Sequence, residues 1–250
     1  MSDQAPPIFA LSALKGYTVI GSDDEIGTVK DFLFVDDRWL VRWLVVDVGG
    51  WLSRRKVLIH PSAIGKMDHA RQELQTELTR QLVESSPDIG LDEKLSNRME
   101  SRLFAHYGWD PKWGESAFAG STEPPPVLPG AVRESVDDPH LRSFEAVKAS
   151  RLLATDGEIG NVENFLVHRD GWNIRYIIVA TGLWWFGKEV LLAPNAVVAI
   201  DWLNREIRLN VTGEQVKSSP PWDPVKWIDE EYEQELRQHY GWPENSRQFA

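Results

Sequence analysis

The chain aligns with itself. Glu25-Ile26-Gly27 recurs as Glu158-Ile159-Gly160, an offset of 133 residues, and similarity at a fixed spacing is the signature of a repeated structural unit. The offset holds without a gap: Phe32-Leu33 falls on Phe165-Leu166, Trp39 on Trp172, Arg42 on Arg175, Trp51 on Trp184, and His106-Tyr107-Gly108-Trp109 on His239-Tyr240-Gly241-Trp242. Between residues 25–109 and 158–242, 29 of 85 positions are identical. The chain therefore reads as a duplication. Copy one with its terminal helix is placed at residues 8–113 and copy two at 143–250, joined by a linker at 114–142. That linker holds Pro124-Pro125-Pro126 and Pro129-Gly130, a composition suited to an extended, partly stiff spacer.

Each copy opens with short apolar runs bounded by turn residues, the pattern of strands. In copy two the runs are Arg151-Leu152-Leu153, Gly160 to His168, Asn173 to Ala180, Glu189 to Leu192 and Glu206 to Val211. Asp156-Gly157 and Asp170-Gly171 separate the first three, and Asp-Gly favours a tight hairpin, so consecutive antiparallel strands are expected. Trp39, Val41, Trp43 and Val45 alternate, as do Trp172, Ile174, Tyr176 and Ile178. Alternation assigns them to the interior face. Leu44, Val46, Ile177 and Val179 make the opposite face apolar too, which suits a small barrel with something packed on its outside.

The packing element is expected to be the end of each copy, where the period changes to about 3.6. Leu95, Met99, Leu103 and Tyr107 form one stripe, and Ile228, Tyr232, Leu236 and Tyr240 form its counterpart. Gly108 and Gly241 are placed to end these helices in the left-handed conformation, with the following Trp folding back on the last turn.

This order of parts resembles the PRC-barrel domain, found in the cytoplasmic part of the photosynthetic reaction-centre H subunit and at the C-terminus of the ribosome maturation factor RimM. The resemblance rests on Ser12-Ala13-Leu14-Lys15, Ile26-Gly27-Thr28-Val29, the Trp/Arg strand, a Gly-bearing loop and Val57-Leu58-x-x-Pro61, each with a counterpart in copy two. It covers residues 12–80 and 145–213. The expected fold is mainly β: two tandem small antiparallel β-barrels, PRC-barrel-like, each followed by a C-terminal amphipathic helix. The resemblance also implies two possible settings, a membrane-peripheral accessory role in electron transport or help in ribosome assembly. The H subunit has a transmembrane helix before its barrel and RimM a different preceding barrel, and neither feature is read here.

The candidate binding residues lie on the loop after the Trp/Arg strand: Trp51 and Leu52 in copy one, Trp184, Trp185 and Phe186 in copy two. Large rings on a Gly-bounded hairpin suit the buried centre of a protein interface. The same residues could instead cap the barrel, pack the copies together, or dip into a membrane interface beside Lys188. The leading expectation is a non-catalytic scaffold or adaptor binding an unidentified protein, with the two copies docked as an intramolecular pseudo-dimer.

Catalytic chemistry has no sequence support. Glu100 and His106, like Glu233 and His239, are six apart, on different faces of a helix, and a His in the last turn is favoured by the dipole. No metal-binding His array, phosphate loop, dinucleotide fingerprint or nucleophile elbow occurs. Zero cysteines remove thiolate chemistry. Asp23-Asp24-Glu25 and Asp156-Gly157-Glu158 lack the spacing of a calcium loop and read as solvated turns. Neither cofactor nor metal is expected, and the net charge of -11 argues against broad nucleic-acid binding. With no basic leader segment and no apolar run of ~20 residues, a cytoplasmic protein is expected.

Overall fold

Strands form where β-branched and aromatic residues cluster, and they do so in parallel in the two halves of the chain. The computed structural model describes residues 8–49, 55–87, 95, 97–111, 140–181, 188–224 and 228–242. In the first half these comprise β1 (Ile8–Ala10), β2 (Thr18–Ile20), β3 (Glu25–Val35), β4 (Leu40–Asp47), β5 (Lys56–Ile59), β6 (Ile64–Asp68), β7 (Glu73–Thr76), α1 (Arg80–Glu84) and α2 (Asn97–Tyr107). The second half follows with β8 (Leu141–Ser143), α3 (Phe144–Val147), β9 (Arg151–Ala154), β10 (Gly157–His168), β11 (Ile174–Ala180) and β12 (Glu189–Leu192). It ends with β13 (Val197–Asp201), β14 (Glu206–Leu209), α4 (Gly213–Ser218) and α5 (Glu230–Tyr240).

The strands make two seven-stranded sheets of the same order. One runs β5-β4-β3-β2-β7-β6 with β8 added on β3; the other runs β12-β11-β10-β9-β14-β13 with β1 added on β10. The β2–β7 and β9–β14 pairs are parallel, so the sheets are mixed rather than wholly antiparallel as expected. The expected closed barrel is also corrected. Among the described residues β5 and β6 sit at opposite ends of the order, joined in sequence by the 3₁₀ turn Pro61–Ala63 but not by a ladder. Among the described residues the strand order is therefore open.

By contacts the chain divides into two compact units, one of Leu14–Ser143 and one of Met1–Ala13 with Phe144–Ala250. In the first, one sheet face buries Val29, Phe32, Phe34, Val41, Leu44 and Val46 completely. The other face presents Leu33, Trp43, Val45 and Leu58 to Leu103 and Phe104 of α2. Sequence alternation had put Val41, Trp43 and Val45 together inside. The register explains the difference: Leu33 pairs with Trp43 but Phe34 pairs with Val41. Arg42 is thus the extra residue of a β-bulge, which reverses the in/out parity along β4. The same shift falls between Leu166↔Tyr176 and Val167↔Ile174, making Arg175 the extra residue of β11.

The repeated Glu-Ile-Gly has a steric cause. A Cβ on Gly27 would lie 2.2 Å from the Asp47 carbonyl oxygen, and one on Gly160 2.1 Å from that of Ala180. Neither backbone approach admits a side chain.

Both terminal helices form as the stripes predicted, and Leu103 and Leu236 are buried. Gly108 and Gly241 take φ of 70° and 67°. The amides of Trp109 and Trp242 reach back to the carbonyls of Phe104 and Arg237, and each Trp ring stacks on the preceding Tyr, at 4.1 and 4.5 Å between centroids. The expected linker at 114–142 lies outside the described residues except for its last three, His140 to Arg142.

Candidate functional site

The bulges carry the most concentrated polar geometry in each unit. Because Arg42 is the bulged residue, it and Trp43 both reach the helix, and Glu100 of α2 meets both. Its Oε1 accepts from Arg42 Nε and from Trp43 Nε1, each at 3.0 Å. Arg42 Nη2 also donates to the Pro111 carbonyl at 3.1 Å, and the guanidinium lies 4.8 Å over the Phe104 ring. A charge-assisted pair with a second donor on the same oxygen is well satisfied for a site this sheltered. The second unit repeats the arrangement with Glu233 of α5, whose carboxylate accepts from Arg175 at 3.3 Å and from the Tyr176 hydroxyl at 2.9 Å. Burial, followed by the Glu233 charge, pushes the Tyr176 hydroxyl far above the ordinary phenol range. Beside the first cluster an open cleft of about 480 Å³ is lined by Arg42, Glu100, Phe104, Trp109 and Pro111 among others.

Behind the first cluster sits His60, fully buried. Its ring meets Trp43 and Phe104 near 5.3–5.4 Å and Trp109 at 5.8 Å, and its Nδ1 lies 2.8 Å from the Ser62 hydroxyl. Burial first, then the Arg42 charge, lowers its pKa to about 3. It is a neutral core histidine. Its counterpart is Ala193.

The remaining repeated polar residues bind the short helices α1 and α4. Asp23 accepts from the amide of Arg80 at 3.0 Å and Asp156 from that of Gly213 at 2.6 Å, so the acidic turns are solvated, as read, and also satisfy helix N-termini. Thr79 and Thr212 cap the same ends. At the other ends Arg55 Nη2 donates to the Ser86 and Pro87 carbonyls, and Lys188 Nζ to those of Lys217 and Ser219. His106 and His239 each donate from Nε2 to a carbonyl of the short helix, Leu82 at 2.8 Å and Gln215 at 2.6 Å, since a carbonyl can only accept. Glu100 and His106 thus serve different partners, as their spacing required. The identities at the 133-residue offset were the available signal for these roles, but sequence reasoning left Arg55, Lys188 and the Arg–Glu pairs without partners. Among the described residues no group of three or more His, Asp or Glu is placed to hold a metal ion.

Of the candidate binding residues, Trp51, Leu52, Trp184, Trp185 and Phe186 lie outside the described residues. The bases of their loops are described. The Val48 amide donates to the Arg55 carbonyl at 3.0 Å, and Thr181 donates from its amide and hydroxyl to the Lys188 carbonyl at 3.2 and 2.6 Å. Each loop therefore leaves and re-enters its sheet through a hydrogen-bonded stem, and the residue closing that stem is the cation fastened to a short helix.

In comparisons with known proteins, residues 6–71 match the PRC-barrel domain, a stretch running from before β1 through β6. An uncharacterized protein of Deinococcus radiodurans is 34% identical to this chain over 76 residues, which is 30% of this chain and 27% of the relative. The match thus spans about a quarter of that protein's length. No helix among the described residues is long and apolar enough to cross a membrane.

Proposed function

We propose that this protein is a non-catalytic scaffold or adaptor that binds another protein through the β4–β5 and β11–β12 loops. Trp51, Leu52, Trp184, Trp185 and Phe186 are its contact residues, and residues 145–213 are a second PRC-barrel-like copy. The observation that carries the reading is the pair of closed loop stems. Arg55 and Lys188 each tie the end of an aromatic loop to a helix, which limits the ordering cost of presenting large rings to a partner. The polar clusters offer a consistent background, because Glu100, Glu233, His106 and His239 are each engaged in holding an element in place.

The test is affinity capture from native lysate, membranes included, comparing the wild type with a Trp184→Ala/Trp185→Ala variant of verified fold. The expected result is a stoichiometric protein recovered by the wild type and lost by the variant. Whether it comes from membrane, ribosomal or free fractions separates the adaptor settings that the PRC-barrel resemblance implies. Equal recovery by both forms, or none by either, overturns the reading and leaves these rings as packing.

A further inference from the structure

We infer that the two halves of the chain complete each other by reciprocal strand exchange, so that they stay bound as partners without the segment that links them. The observation is one of ownership. β1 opens the first half, yet it pairs with β10 of the second: Ile8↔His168, Phe9↔Val167, Ala10↔Leu166. β8 opens the second half, yet it pairs with β3 of the first: Leu141↔Val35, Arg142↔Phe34, Ser143↔Leu33. Add 133 to each number of the first unit's receiving strand and the two registers coincide. Each compact unit accordingly takes its opening strand from the other half, with the boundaries at Ala13/Leu14 and Ser143/Phe144. Those boundaries fall in equivalent short turns, the 3₁₀ turn Leu11–Leu14 and α3, which act as the hinges of the exchange.

Side chains secure both strands. Phe9 is buried and meets Trp172 edge-on at 5.4 Å. The Ser12 amide donates to Asn164 Oδ1 at 3.2 Å, and Asn164 Nδ2 donates to the Ser12 hydroxyl. In the other unit the counterpart of Asn164 is Asp31, which accepts from the Ser143 hydroxyl, while Asp36 accepts from Arg142 at 3.0 Å and lies 2.8 Å from His140 Nδ1. A strand added to a sheet edge gains main-chain hydrogen bonds from any sequence and specificity from such side chains. Two exchanged strands per molecule make the association bivalent, so the effective concentration of the second raises the strength of the first.

The test uses the full chain with a protease site placed between residues 114 and 139. After cleavage under native conditions the fragments are expected to elute together, with a native mass equal to that of the uncut 28.5 kDa chain. Phe9→Asp in the same protein is expected to weaken fragment association at least 100-fold, and Arg142→Ala, at a partly buried position, by several-fold with the far-UV spectrum unchanged. Val198→Asp, at a position well exposed to solvent, is expected to leave association unchanged. Fragments that separate on cleavage overturn the inference. So does association that neither Phe9→Asp nor Arg142→Ala weakens, because other contacts would then hold the halves. A native mass of twice the chain also overturns it, since the strands would be passing between molecules.

Discussion

Glu100→Ala removes the acceptor on which the bulged strand and α2 converge. Its carboxylate oxygen serves Arg42 and Trp43 at once, in a pair whose side chains are only 10% and 17% exposed. Truncation leaves a sheltered guanidinium without its counter-charge and an indole N–H without an acceptor. Breaking a fully buried pair costs ~3–5 kcal/mol; the adjoining cleft admits water to Arg42 and places this site at the low end, about 3 kcal/mol. At ~1.4 kcal/mol per tenfold, amides of α2 and β4 are expected to exchange hydrogen about 100-fold faster, read by mass spectrometry of the intact variant. Glu100→Gln keeps the shape and a neutral acceptor and is expected to cost ~1 kcal/mol. The Arg42→Met/Glu100→Leu double variant is expected to recover much of the loss, because the penalty arises from an uncompensated charge rather than from a missing attraction. Acceleration below tenfold in Glu100→Ala, or a double variant as labile as the single one, refutes this reasoning.

His60 supplies a pH dependence. Its folded pKa is lowered from 6.5 to about 3, so between those values the unfolded chain binds a proton that the folded one does not. Its contribution to stability is complete above pH 6.5 and is lost at ~1.4 kcal/mol per unit as pH falls toward 3. His60→Ala, which copies Ala193, is expected to be less stable at pH 7 but to flatten the urea midpoint between pH 6.5 and 4; an unchanged slope would contradict the assignment. Gly160→Ala forces a Cβ to 2.1 Å from a carbonyl oxygen at φ +140° and is expected to cost about 3 kcal/mol. Gly65→Ala, whose Cβ would find its nearest neighbour at 3.7 Å, serves as the control. Equal urea midpoints for the two would show that the close strand crossing does not explain the repeated Glu-Ile-Gly.

Residues that act on their near neighbours were legible without the structure. The stripes from Leu95 and Ile228, with glycine at 108 and 241, define α2 and α5 because helix periodicity and left-handed caps are properties of a few consecutive residues. The runs of the second half likewise coincide with β9, β10, β11, β12 and β14, since pattern and turn chemistry are local. The short strands β1, β8 and β13, the last with no buried residue, carry too little pattern to announce themselves. The loop residues from Trp51 and Trp184 onward were legible as aromatic clusters, but not as contacts.

What tertiary structure decided are the choices for which the local pattern is neutral. Whether Trp43 faces the inner core or α2 depends on one extra residue at Arg42, and a bulge is set by the register against β3 rather than by the composition of β4. Mixed, unclosed sheets arise because β7 and β14 return alongside β2 and β9, a pairing between segments more than fifty residues apart. Most of all, Ile8–Ala10 pairs with residues 166–168 and Leu141–Ser143 with residues 33–35, two equivalent edges. Both edges offer the same main-chain hydrogen bonds in the same register, so the local strand pattern does not choose between them; the choice rests on side chains far apart in sequence, such as Asp36 beside Arg142 and Asn164 beside Ser12.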